Sequence, residues 1–115
     1  MMQIKRVYEN PAKQDGFRVL VDRLWPRGLT KEKAHVDLWM KEIAPSDELR
    51  KWFHHGDPNW GEFEKKYKAE LAKKKELLGE LKKLENEHGT VTLVYGSKDE
   101  KQNQAVVLAQ MIRGK

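Results

Sequence analysis

The sequence predicts an α/β fold with a small mixed, mainly parallel sheet of about four strands, flanked by helices, in one domain over residues 1–115. The first observation is an apolar run, Val19, Leu20 and Val21, which has the composition of a buried strand. The second is a similar run at residues 90–95 that leads directly into a helical pattern. Segments with helical spacing lie between the strand-like ones, and this alternation is typical of layered α/β domains.

The first half of the chain predicts three short strands, at residues 4–8, 17–22 and 36–40, where apolar residues alternate with polar ones or form a run. The connection between the first two is too short for a normal crossover helix. These strands therefore either pair antiparallel around the Asp15-Gly16 turn or are joined by an abbreviated link. Residues 30–34 predict one or two helical turns, capped by a threonine.

The second half predicts four helices and the last strand. A helix begins at the Ser46 cap and ends near Gly56, and Asp57-Pro58 begins the next. Its apolar stripe faces the core and consists of Trp60, Phe63, Tyr67 and Leu71. A break at residues 73–75 precedes a helix that runs to about Glu87, with His88-Gly89 as its C-cap. After the strand at 90–95, the last helix covers residues 100–113, and Asp99 and Gln102 have capping-box spacing.

Composition limits the class of protein. The formal net charge is +5, but much of the lysine lies between residues 65 and 83 and alternates with glutamate, as on a solvated helix face. No stretch approaches the ~20 apolar residues of a membrane span, and M-M-Q-I-K-R lacks the apolar segment of a secretory signal. Since there is no cysteine, we expect a cytoplasmic protein. Lysine- and glutamate-rich, cysteine-free composition is also typical of heat-adapted proteins.

The first candidate site follows the second strand, where polar and aromatic residues are concentrated: Asp22, Arg23, Trp25, Arg27 and Gly28. Open α/β sheets bind ligands beyond the carboxyl ends of their strands, and arginine matches the geometry of phosphate and carboxylate. We therefore expect an anion-selective corner, with Asp22 orienting an arginine or acting as a general base. The alternative is an internal Asp–Arg pair that closes the sheet edge, with Trp25 in the core.

The second candidate site is the turn between the last strand and the last helix, where Tyr95 and Lys98 flank a Gly-Ser pair. Backbone amides at such a turn can bind phosphate, and Asn103 and Gln104, one turn into the helix, either add hydrogen bonds or face solvent. Asp99 is a candidate for proton transfer. As a cap, however, Asp99 would occupy the same amides.

A third group of candidate ligand-binding residues lies around the predicted second helix: Lys41, Ser46, Arg50 and His55. Ser46 and Arg50 are one helical turn apart and can face the same loop. The sequence contains no G-x-S-x-G, H-E-x-x-H or cysteine pair, so we expect no Ser–His hydrolase, no metal site and no cofactor.

Motifs along nearly the whole chain resemble a known family: V-D-R-L-W-P-R-G (21–28), W-M-K-E-I-A-P-S (39–46), L-R-K-W-F-H-H (49–55), W-G-E-F-E-K-K-Y-K-A-E-L (60–71), V-T-L-V-Y-G-S-K-D (91–99) and N-Q-A (103–105). This pattern is similar to the YeaO-like branch of domain-of-unknown-function family 488. The resemblance implies a compact α/β domain of bacterial and archaeal cytoplasm and supplies no established reaction.

Three functions fit these observations. The favoured one is an enzyme or binding protein for a small anionic molecule, such as a nucleotide, phosphate ester or carboxylate, held by Arg23, Arg27 and Lys98 with help from Arg50. The second is a basic module associated with nucleic acid. The third is a structural or interaction domain whose arginines only join strands and helices. The sequence predicts no oligomeric state.

Overall fold

Four strands form the sheet, in the spatial order β1-β4-β2-β3. In the computed structural model, which describes residues 1–55 and 59–113 without the side chains of 54 and 55, they are β1 (Met2–Arg6), β2 (Phe17–Leu20), β3 (Leu38–Trp39) and β4 (Val91–Tyr95). All described pairings are parallel. The α/β class and the four strands are confirmed, while the sheet is more uniformly parallel than the predicted mixed one.

The short connection between β1 and β2 is an abbreviated link, one of the two possibilities that the sequence left open. A single 3₁₀ turn, Lys13–Asp15, replaces a crossover helix, and β4 lies between the two strands. The Asp15 carboxylate accepts hydrogen bonds from Lys5 and the buried Arg18, and Thr92 Oγ1 donates to the Asp15 carbonyl over 2.6 Å. These bonds hold the link against the sheet.

Gly16 ends this link in a conformation that few other residues adopt. Its φ is +65°, and a Cβ at this position would lie 2.4 Å from the carbonyl oxygen of Thr90. The chain therefore needs glycine here, both for the positive φ and for the close approach to the backbone.

The helices are α1 (Lys31–Ala34), α2 (Asp47–His55), α3 (Trp60–Ala72), α4 (Lys75–His88) and α5 (Gln104–Ile112). The Ser46 and Gly89 caps are confirmed: Ser46 Oγ accepts from the Leu49 amide over 3.1 Å, and Gly89 has φ +81°. Asn59 caps α3, and the predicted start at Asp57-Pro58 lies outside the described residues. None of the helices in the described ranges combines the length and apolar character needed to cross a membrane.

Several predicted elements are shorter in the structure, the third strand and the last helix most of all. The third strand pairs over two residues rather than over 36–40, because the chain leaves the sheet after Met40 and enters a 3₁₀ turn, Lys41–Ile43. The last helix begins at Gln104 rather than at residue 100, because Asn103 Oδ1 accepts from the Val106 amide over 3.1 Å and serves as the N-cap.

Apolar residues cover both faces of the sheet. On one face, the larger core packs α2 to α5 against the sheet, and the predicted stripe residues Phe63, Tyr67 and Leu71 are buried in it. On the other face, a smaller cluster joins Leu20 and Val94 to the segment that contains α1, with Trp25 and Trp39 packed against it. These layers leave a gap at the carboxyl ends of the strands.

Candidate functional site

A cavity of about 870 Å³ lies at the carboxyl ends of β1, β2 and β4. The segments that follow these strands form most of its wall, and α2 and α3 complete it. Its lining residues are Tyr8, Asp22, Arg23, Leu24, Trp25, Pro26, Arg27, Ala44, Pro45, Arg50, Phe53, Phe63, Gly96, Ser97, Lys98, Asp99, Gln102, Asn103 and Gln104. The cavity therefore brings together eight of the predicted site residues, from both candidate loops and from α2.

Asp22 connects three elements at the bottom of this region. Its Oδ2 accepts a 2.8 Å hydrogen bond from the Gly96 amide, its Oδ1 accepts one from the Gln104 side chain, and its carbonyl accepts one of 2.7 Å from Trp39 Nε1. Burial raises the pKa of Asp22 to about 6, although the bonds from Gly96 and Gln104 act to lower it. Both carboxylate oxygens thus have structural partners.

Arg23 does not pair with its neighbour Asp22. Its Nε donates to the carbonyl of Pro45 and a terminal nitrogen donates to that of Ala44, each over 3.2 Å. Within the described residues, Arg23 forms no ion pair. Among the described residues Asp22 and Arg23 therefore do not form the internal pair of the alternative, and the hydrogen bonds of the guanidinium go to two backbone carbonyls.

A second cation, Lys74, donates to the Ala44 carbonyl that also accepts from Arg23. Lys74 Nζ donates to the carbonyl of Glu42 over 2.7 Å and to that of Ala44 over 3.4 Å. The pKa of Lys74 is lowered by its burial and then by the positive charge of Arg23. The positive charges of Arg23 and Lys74 thus lie near each other at the part of the cavity wall that contains Ala44.

Two exposed cations line the cavity without protein partners. The side chains of Arg27 and Lys98 form no hydrogen bond or ion pair with any residue that the structure describes. Arg50 forms a 3.3 Å ion pair with Asp47, while its Nε is buried and has no acceptor among the described residues. Because the lining contains four cationic side chains and two carboxylates, its formal charge is positive.

The loop after β4 leaves backbone donors free. The Asp99 carboxylate accepts from the amides of Lys101 and Gln102, over 2.9 and 3.0 Å. The amides of Ser97 and Lys98 donate to no acceptor within the described part of the chain. Asp99 thus caps the turn that follows it and does not occupy the amides that a phosphate would need.

Apolar groups share the lining with these cations. Leu24 is 62% exposed, which is unusual for a large hydrophobic side chain in this structure. Trp25 packs edge-on against Trp39 and donates a 2.7 Å hydrogen bond to the Leu29 carbonyl, so its position is fixed. Phe53 lies 4.5 Å from Phe63, centroid to centroid.

Four of the other predicted site residues lie outside the lining. Ser46 caps α2 and binds Glu70 through its amide and hydroxyl, and Lys41 lies over the Trp39 ring. Gly28 adopts a positive φ in the loop after β2, and Tyr95 is buried in the core. The side chain of His55 lies outside what the structure describes. Asn103 lines the cavity, but its amide already caps α5 and donates to the Asp99 carbonyl.

Three lining residues make contacts that sequence reasoning did not predict. Gln104 bonds to Asp22 across 82 residues of sequence, and no local pattern indicates such a contact. Gly96 allows the approach of Asp22, because a Cβ there would lie 2.9 Å from Oδ2. Tyr8 donates a 2.8 Å bond to the Arg27 carbonyl and fixes the loop after β2. Of these three contacts only that of Gly96 has a signal in the sequence, because Gly96 is a glycine directly after the last strand.

The fold and the cavity define a small parallel α/β protein with a positively charged cavity at its strand ends. A family model described as "Inactive DUF488-N3 subclade" matches residues 1–115. The chain belongs to the DUF488 family, as its sequence motifs predicted.

Relatives match along nearly their whole length. The uncharacterized protein YeaO of Escherichia coli is 44% identical over 112 residues, which cover 97% of this chain and 96% of YeaO. The uncharacterized protein Rv3073c of Mycobacterium tuberculosis is 41% identical over 114 residues, 99% of this chain and 95% of the relative. No solved structure matches the chain significantly.

Proposed function

We propose that this protein binds a small anionic molecule, a nucleotide, phosphate ester or carboxylate, in the cavity at the strand ends, and that it does so without catalysing a reaction. The observation that carries the proposal is that the Arg27 and Lys98 side chains both line one cavity and have no partner among the residues that the structure describes. Cations without a carboxylate partner are available to bind an anion, and arginine does so with paired hydrogen bonds.

Backbone groups and a third cation support the same function. The amides of Ser97 and Lys98, which have no acceptor in the described part of the chain, are donors of the kind that bind phosphate oxygens. Arg23, held by two carbonyls, adds positive charge at a fixed position. An anion in the cavity would therefore meet oriented donors whose arrangement requires little further ordering.

Binding without catalysis fits the state of Asp22. A general base needs a carboxylate oxygen free to accept a proton from the substrate. Asp22 has both oxygens bonded, to Gly96 and to Gln104, whereas the two amides of its own turn occupy only Oδ1 of Asp99. The word "inactive" in the description of the matching family model agrees with this assignment.

A thermal-shift panel of phosphate esters, nucleotides and dicarboxylates tests the proposal, because a ligand that binds only the native state raises its melting temperature. We expect at least one phosphate-containing ligand to raise Tm, and Lys98→Ala to reduce that rise. Lys82→Ala is the matched control, since Lys82 is an exposed lysine on α4 away from the cavity. The proposal fails if no anion raises Tm, or if both lysine variants lose the effect equally.

A further inference from the structure

We infer that the ligand carries a planar ring beside its anionic group, as a mononucleotide does; this inference rests on the proposed function and narrows it. Three properties of the cavity support a ring: its size, the apolar part of its lining, and an unpartnered amide side chain. Each is independent of the positive charge that supports anion binding.

The size of the cavity exceeds what an isolated anion needs. Its volume is about 870 Å³, whereas pockets for ligands the size of a drug or cofactor span about 300–1,000 Å³. An inorganic phosphate or a short dicarboxylate would contact one part of the wall and leave the rest to water. A mononucleotide is larger and can contact more of the wall at once than either of these anions can.

The apolar part of the lining comes from the loop after β2 and from α2 and α3. Leu24 lies on that loop, which also carries Arg27, and Phe53 and Phe63 lie on the two helices. Leu24 exposes an apolar side chain to water at this cavity. A ring placed on Leu24 would remove that surface from water, and burial of apolar surface favours binding.

A polar side chain is also available for the edge of such a ring. Gln102 lines the cavity, and its side-chain amide has no hydrogen-bond partner in the described ranges. An amide group offers both a donor and an acceptor, which matches the alternating donors and acceptors on the edge of a nucleobase.

Calorimetric titration of the full chain with AMP, UMP, ribose 5-phosphate and inorganic phosphate, at one ionic strength, tests this inference. The comparison of each nucleotide with ribose 5-phosphate isolates the contribution of the base. We expect at least one nucleotide to bind tighter than ribose 5-phosphate by on the order of tenfold, as expected for a base on an apolar or aromatic platform. Inorganic phosphate should bind weakest.

Two variants separate the contribution of the ring to binding affinity from that of the anionic group. Leu24→Ala should lower the ratio of nucleotide to ribose 5-phosphate affinity several-fold and leave ribose 5-phosphate binding unchanged. Because Leu24 is largely exposed, this change should not unfold the protein. Lys98→Ala should weaken nucleotide and ribose 5-phosphate by a similar factor.

The outcomes distinguish the inference that the ligand has a ring from the proposal that the protein binds an anion. If the nucleotides and ribose 5-phosphate bind equally well, or if Leu24→Ala leaves their ratio unchanged, the inference of a ring is wrong and anion binding stands. If none of the four probes binds, the inference is overturned, and with it the phosphate-binding part of the proposed function.

Discussion

The backbone amide of Gly96 donates a 2.8 Å hydrogen bond to Oδ2 of Asp22, across 74 residues of sequence. This bond joins the end of β4 to the end of β2, and the Gln104 side chain adds α5 through the other carboxylate oxygen. A single side chain thus joins β2, β4 and α5 at the edge of the cavity. Asp22 therefore has a structural role at the candidate site, and the catalytic role that the sequence suggested stays a prediction.

Asp22→Ala should destabilise the protein, whereas Asp22→Asn should not. Alanine leaves the Gly96 amide and the Gln104 side chain without an acceptor, and we expect the free energy of unfolding to fall by about 1–3 kcal/mol. Asparagine retains an acceptor for Gly96 and can bond to a rotated Gln104 amide. Urea unfolding at pH 7 measures both. Equal stability of the alanine variant and the wild type would contradict the role of Asp22.

Ionisation of Asp22 should make the free energy of unfolding depend on pH. Its pKa in the folded protein is about 6, above the ordinary 3.8, so the native state binds this proton more tightly than the unfolded chain does. The resulting stabilisation is complete below pH 3.8 and is lost as pH rises through 6. The free energy of unfolding of the wild type should therefore fall relative to Asp22→Asn across this range, by at most about 3 kcal/mol.

Unfolding of both proteins between pH 3.5 and 7.5 measures this difference, because the other carboxylates contribute equally and cancel. A difference that does not vary with pH would show that the Asp22 pKa is not raised. A difference that grows in the opposite direction would indicate a carboxylate stabilised in its charged form.

Gly16→Ala should be strongly destabilising, by about 2 kcal/mol or more, because the new Cβ meets a backbone carbonyl at a positive φ. Gly79→Ala is the matched control. Gly79 lies inside α4 with nothing within 4 Å of an added Cβ, so alanine should raise stability by about 0.5–1 kcal/mol. Thermal unfolding compares the two. A neutral Gly16→Ala would mean that the link between β1 and β2 does not pass as the structure has it.

Nucleic acid should bind only weakly and without specificity. The exposed lysines of α4, such as Lys82 and Lys83, share the helix with Glu76, Glu80 and Glu87, so the helix does not present a continuous basic surface. Fluorescence anisotropy with single- and double-stranded oligonucleotides should show binding at low salt that disappears near physiological ionic strength. Tight binding at physiological salt would favour the alternative of a nucleic-acid module.

Local sequence patterns predicted the strands and helices, whereas the candidate site depends on contacts between residues that are far apart in sequence. The apolar run at Val19 to Val21, the stripe through Phe63 and Tyr67, and the Ser46 cap are local signals, and each produces the predicted structure. The strand order and the bond between Asp22 and Gln104 depend on residues far apart in sequence. The periodicity of apolar residues along the chain does not indicate the strand order or this hydrogen bond.

The charged residues were the hardest to interpret. Arg18 has the position of an ordinary strand residue, yet it is buried and bonds to Asp15 and to the carbonyls of Ala34 and His35. Arg27 has the same residue type and faces the cavity without a partner in the described residues. Only the three-dimensional arrangement separates a structural arginine from one that is available to a ligand.

Titration of ribose 5-phosphate into the wild type, Arg27→Ala, Lys98→Ala and Lys82→Ala at low ionic strength tests most directly whether the unpartnered cations bind an anion. We expect each of the two cavity variants to weaken binding by about tenfold or more, the loss of one hydrogen bond to a charged group. The Lys82 control should bind like the wild type. Wild-type affinity in both cavity variants, or no binding by the wild type, would contradict the account.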